Sequence, residues 1–234
     1  MLSTGERPQP SPQGRPAGIL DSTRASVTKP SSFNHTTLPM RSEKPNPQEI
    51  QHIWVVTGPA GSGKSTVGRY LQRELGVPFL EGDDFHPKSN REKMGNGVPL
   101  TDADRWDWLI SLRNAAITVL SPSETNNYHP PSGVVVACSA LKQKYRDVMR
   151  VAAYGSSSVQ IHFIYLKLDE KTLFQRVSAR QAHYMKPGMI QSQLKDLEEP
   201  KGEWDTLVVD VHGSPTDVQK EVVRVVKGKL AEYQ

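Results

Sequence analysis

A single cysteine, Cys138, stands in 234 residues. No intrachain disulfide can form, so burial and hydrogen bonding must hold the fold, and the lone thiol fits a reducing compartment. No apolar run approaches the roughly 20 residues that a membrane-spanning helix needs. Aromatic residues make up only 7% of the chain and do not interleave with bases on any one segment. A sequence pI near 9.1 and a net charge of +4 therefore point to anionic small molecules and away from nucleic acid. No internal repeat is visible. Up to about residue 48 the chain is rich in Pro, Ser, Thr, Asn and Gln with no apolar period, which predicts a disordered tail at 1–48 ahead of one folded unit at 49–234. The tail lacks the apolar core of a signal peptide. Glu6, Asp21 and Glu43 argue against a mitochondrial presequence, so a cytoplasmic location is expected.

What is present begins with the octapeptide GPAGSGKS at 58–65, directly after the apolar run at 53–57 and before a helical pattern. In that strand-loop-helix context it reads as a P-loop for a nucleoside triphosphate. Gly58, Gly61 and Gly63 allow backbone conformations closed to residues with a Cβ, so successive N–H groups can line an anion-sized nest at a helix N-terminus. Gly58, Pro59, Ala60, Gly61, Ser62, Gly63, Lys64, Ser65 and Thr66 are the expected ATP contacts. Lys64 would reach the β- and γ-phosphates, and the Ser65 hydroxyl would ligate Mg²⁺.

Beyond the loop, short apolar segments alternate with amphipathic ones, the mark of an α/β fold with a parallel sheet covered on both faces. Strands are expected at 53–57, 78–81, 133–137, 161–166 and 207–211. Helices are expected at about 64–75, 87–94, 103–120, 141–151, 170–181, 189–197 and 215–232, with Asp102 capping the third and 182–188 irregular. The second strand is expected beside the first. Five strands with a P-loop after the first resemble the nucleoside monophosphate kinase architecture, a three-layer α/β/α core with a helical lid, here at about 176–190.

Phosphoryl transfer requires neutralised charge, a positioned acceptor hydroxyl and exclusion of water. Asp83 and Asp84 end the second strand, where ligands of open α/β sheets bind. Asp83 is expected to accept the acceptor's proton or to hold a water on Mg²⁺; an Asp after Gly also serves simply to cap a turn. No acid ends the third strand, so the Walker-B position of many motor and switch NTPases is missing, which favours a small-molecule kinase. Arg176 and Arg180 lie four apart on one helix face and suit a lid over the phosphates, although two bases at that spacing are also an ordinary solvated face. His86, Lys93 and Arg105 fall in the excursion after the second strand, where cations would grip a carboxylate and His and Asp would bond hydroxyls. Lys142 begins the helix after the third strand and points to the same sheet edge.

The stretches GDDFHPKSNREKMGNGVPLTDADRWDWL (82–109), VVACSALKQKYRDVMR (135–150) and FIYLKLDEKTLFQRVSARQAHYM (163–185), with SQLKDLEEP (192–200), are similar to those of the gluconokinase family. The resemblance runs from about residue 53 to the C-terminus. It implies ATP:D-gluconate 6-phosphotransferase activity, delivery of 6-phosphogluconate to the pentose phosphate pathway, and a homodimer. By motif position it carries over the P-loop, Asp83, His86, Lys93, Arg105, Lys142, Arg176 and Arg180. Two departures are the N-terminal tail and the loop 121–132, where an insertion is expected. Rivals from the residues alone are a shikimate- or nucleotide-type kinase and a nucleotide-dependent regulatory or nucleic-acid-binding module.

Overall fold

The computed structural model describes residues 50–179 and 187–233. The expected tail at 1–48 and residues 180–186 of the expected lid lie outside them. Five strands form one parallel sheet: β1 (Gln51–Thr57), β2 (Phe79–Glu81), β3 (Gly133–Ala137), β4 (Val159–Lys167) and β5 (Thr206–Asp210), in the order β2-β3-β1-β4-β5. The expected neighbourhood of β1 and β2 is thus corrected: β3 lies between them. Its Val134, Val135 and Val136 are all fully buried, and that continuous apolar run fits a strand sandwiched on both faces and both edges.

Among the described residues there are seven α-helices: α1 (Lys64–Leu75), α2 (Lys88–Gly95), α3 (Asp102–Leu120), α4 (Gln143–Tyr154), α5 (Glu170–Ala179), α6 (Pro187–Asp196) and α7 (Pro215–Leu230). Side chains of β1 alternate between two cores. Ile53 and Val55 face a cluster with Leu109, Leu112, Ala116 and Met149 of α3 and α4. Trp54 and Val56 face another with Val67 and Leu71 of α1 and Val218, Val222 and Val226 of α7. A strand of period two buried on both sides makes the molecule three layers, α/β/α.

Element ends follow local chemistry. Gly76, at φ 65°, closes α1 with its N–H on the Gln72 carbonyl. The cap of α3 is Thr101 and not Asp102, which is the first helical residue. Thr101 and Asp104 form a reciprocal capping box: the Thr101 hydroxyl accepts from the Asp104 N–H and the Asp104 carboxylate accepts from the Thr101 N–H. Lys93, at the end of α2, donates to the same carboxylate at 2.6 Å and ties the two helices together. The loop 121–132 contains a single 3-10 turn at Glu124–Asn126.

Candidate active site

The carboxyl ends of β1, β2 and β3 carry the site. The P-loop leaves β1 with Gly58, Gly61 and Gly63 at φ 143°, 88° and 101°. A Cβ on Gly61 would lie 2.5 Å from Val177 Cγ2, so α5 sits close against the loop. Gly63 precedes α1 in the left-handed region, and α1 carries no acid in its first turn and no side-chain cap. Its first N–H groups and dipole are thereby left to an anion. Ser62 Oγ is buried within the loop and has no hydrogen-bond partner. A polar cradle, an uncapped helix start and an orphan hydroxyl together fit a polyphosphate. Lys64 Nζ donates to the Pro59 carbonyl at 3.1 Å, folded back over the loop.

Glu81, the last residue of β2, hydrogen-bonds the Ser65 hydroxyl, and burial pushes its carboxyl above the ordinary value, with Asp83 and Asp84 adding to the rise and Lys64 opposing it. The reading of the sequence missed Glu81, because only the fold brings β2's end to α1's start. Ser65, Glu81 and Asp83 supply hard oxygen donors beside the nest, a set that suits Mg²⁺. Asp83 and Asp84 follow in a 3-10 turn (Gly82–Phe85), both exposed.

Asp83 opens onto a cavity of about 240 Å³. Its wall joins Ala60 and Lys64 of the P-loop to Asp83, His86, Arg91 and Arg105, with Met94, Leu100 and Trp108 as its apolar part. His86 is 5% exposed, its ring stacked on Trp108 at 4.1 Å between centroids. Burial pushes its pKa down to about 4; Arg105 and Arg91 reinforce the fall and Asp83 opposes it. The imidazole is therefore neutral near pH 7 and suits bonds to hydroxyls. Trp108 fixes the turn beneath by donating from Nε1 to the Gly82 carbonyl at 2.7 Å.

The expected cations separate into two groups. Arg105 lines the cavity, yet its Nη1 already donates to the Tyr145 hydroxyl (2.8 Å) and to Asp196 (3.1 Å). Lys93 and Lys142 stand off the cavity wall. Lys93 is on Asp104, and Lys142 bridges Asp102 (2.9 Å) and Asp196 (3.0 Å). Asp102 also accepts from Lys144 and the Tyr145 hydroxyl, and these bonds, with that of Lys142, hold its carboxyl well below the usual range. Arg176 is elsewhere. It donates to the Val211 carbonyl and lines a second cavity of about 380 Å³ with Gly61, Gly63, Thr66, Pro215 and Gln219. Arg180 lies outside the described residues.

Two further groups on α6 went unread in the sequence. Gln193 Oε1 accepts from the Ala60 N–H of the P-loop at 2.7 Å. Three residues on, Asp196 holds Arg105 and Lys142. On the far side of the cavity, Ser139 and Leu141 occupy the turn after β3. Arg146, 2% exposed, braces that turn by donating to the Ala140 and Leu141 carbonyls while pairing with Glu203.

A P-loop on an uncapped helix, beside an open cavity of about 240 Å³ at the same sheet edge, defines an ATP-dependent small-molecule kinase. The family model described as an AAA domain matches residues 53–200. The chain is 39% identical over 189 residues to a probable gluconokinase of Schizosaccharomyces pombe, covering 80% of this chain and 94% of that one. It is 37% identical to the thermoresistant gluconokinase of Escherichia coli, over 75% of this chain and 94% of the relative. Among solved structures, a gluconokinase from Sinorhizobium meliloti superposes with a TM-score of 0.65 at 36% identity, covering 80% of this chain and 99% of that chain. The chain belongs to the gluconokinase family.

Proposed function

We propose that the protein transfers the γ-phosphoryl group of ATP to the 6-hydroxyl of D-gluconate, giving 6-phospho-D-gluconate for the pentose phosphate pathway. The observation that carries this reading is the single cavity joining Lys64 to Asp83, His86 and Arg105. A kinase must hold donor and acceptor side by side, and the P-loop lysine and the acceptor-side carboxylate line one cavity.

The roles follow from position. The nest of residues 58–66 binds the phosphates, and Lys64 offsets charge on the transferring group. Ser65, with Glu81 and Asp83 nearby, would hold Mg²⁺, which when bound neutralises the β- and γ-oxygens. Asp83 orients the acceptor hydroxyl or takes its proton. Neutral His86 bonds a hydroxyl of the acceptor chain, while Arg105 lines that side and Lys93 and Lys142, paired with acids, brace the elements behind it. Arg176, beside Gly61 and Gly63, and Arg180 cover the nucleotide phosphates from the lid. A homodimer in the cytoplasm, acting on a small molecule without nucleic acid or membrane, completes the reading. Among the described residues no helix is long and apolar enough to cross a membrane.

The test is ADP release measured in parallel with D-gluconate, shikimate and nucleoside monophosphates. Gluconate should exceed the others by about two orders of magnitude in kcat/KM, because a site built to bond the hydroxyls of an open chain leaves its polar groups unpaired against acceptors that present theirs on a ring. Equal or greater turnover with shikimate or a nucleotide contradicts the assignment.

A further inference from the structure

A sugar acid brings one negative charge into the cavity, and a cation is the strongest single partner for it. Lys93 and Lys142 do not line the wall, and each is matched to an acid. Arg105 does line it, but Asp196 lies 3.1 Å and Asp102 3.8 Å from its Nη1. A carboxylate docking there would meet two like charges on the same guanidinium and be repelled by both. Lys64 belongs to the phosphates.

Arg91 remains. It projects from α2 onto the same cavity, and among the described residues it is the cavity-lining cation whose side chain has neither a hydrogen bond nor an ion pair. Its charge already reaches into the site, since it is one of the groups that lower the pKa of His86. Arg91 is exposed, and Met94, Pro99 and Leu100 line the same wall. A guanidinium presents a planar fork that matches a carboxylate bidentately, and an unmatched one gains most from an incoming anion.

We propose that Arg91 receives the carboxylate of the acceptor and makes the cavity selective for a sugar acid over the neutral polyol of the same length. This rests on the sugar-acid kinase reading above. The acceptor would then lie with its acid end at α2 and its terminal hydroxyl toward Asp83 and Lys64.

The experiment compares D-gluconate with D-gluconamide, whose carboxylate is a neutral amide, as ligands of the full-length wild type, Arg91→Gln and Arg91→Lys. Turnover gives KM and kcat for gluconate; competition against gluconate, or direct calorimetric titration, gives the gluconamide affinity. Arg91→Gln should raise the gluconate KM about tenfold or more, the loss of one charge-assisted pair, and leave kcat and the ATP KM within about threefold. Gluconamide affinity should change by less than about twofold, and Arg91→Lys should recover part of the gluconate loss. An unchanged gluconate KM in Arg91→Gln, or an equal loss for gluconamide, overturns the inference while leaving the kinase reading intact. A wild type that fails to phosphorylate gluconate overturns both.

Discussion

His86 is a titratable side chain that its surroundings keep uncharged. Packed on Trp108 and hidden from water, it has a pKa of about 4 against an ordinary 6.5. The unfolded chain therefore binds more protons than the folded one between those values, so stability rises with pH across that window. The contribution is complete above 6.5 and is lost as pH falls through 4. Replacement by Phe, which keeps the stack and removes the titration, should flatten the acid slope of unfolding free energy measured in urea at pH 6.5 and 4.5. Imidazole resonances of the native protein should place the His86 midpoint near 4. A midpoint at 6.5, or an unchanged slope in His86→Phe, contradicts this account of the site's interior.

Single residues also mark where the sequence stops being informative. The P-loop was legible because its function is written in eight consecutive positions whose glycines are required by local backbone geometry. The pairing of Lys93, Arg105 and Lys142 was not, since their acids come from other elements: Lys142 and Asp102 are 40 residues apart, and Arg105 and Asp196 are 91 apart. A cation's availability depends on such tertiary neighbours, and sequence shows only that the cation exists. Glu81 went unread for the same reason, lying at the end of a three-residue strand whose register against β3 no local signal fixes.

Among the elements, α6 does more than its ten residues suggest. Gln193 and Asp196 are one turn apart on one face, so a single helix touches the nucleotide loop through Ala60 and the acceptor side through Arg105 and Lys142. The helical pattern was visible in the sequence, but its partners were not: Gln193 and Ala60 are separated by 133 residues. Gln193→Ala deletes the acceptor for the Ala60 N–H and should loosen the loop. The expected cost is about 1 kcal/mol of stability, with a several-fold rise in the ATP KM that exceeds any rise for gluconate. Steady-state kinetics with each substrate varied in turn would check it, and an unchanged ATP KM would remove α6 from nucleotide binding. The braced turn after β3 is a second such device, held by a buried arginine that sequence alone presents as an ordinary surface base.

Across the whole molecule, two cores on opposite faces of one sheet leave the carboxyl edge as the place where loops from several strands converge. The alternation of strands and helices, and hence the α/β class, was legible because burial on both faces leaves continuous apolar runs such as 133–137. Strand order was not, since crossover connections pass over the sheet and carry no record of which neighbour they skip. That order matters for function. With β3 between β1 and β2, the P-loop and Asp83 stand on either side of the Ser139 turn, and the cavity they both line opens there.

The central claim is that this cavity is where the phosphoryl group passes from ATP to gluconate, with Asp83 engaging the receiving hydroxyl. It is tested most directly by gluconate-dependent ADP release at saturating ATP, measured side by side for the wild type and Asp83→Asn, with nucleotide affinity titrated on both. The wild type should turn over, and the variant should retain nucleotide binding but be slower by about an order of magnitude or more, as expected when a positioned acid-base group is lost. Undiminished turnover in Asp83→Asn, or a wild type whose ADP release is no faster with gluconate than without it, would contradict the account.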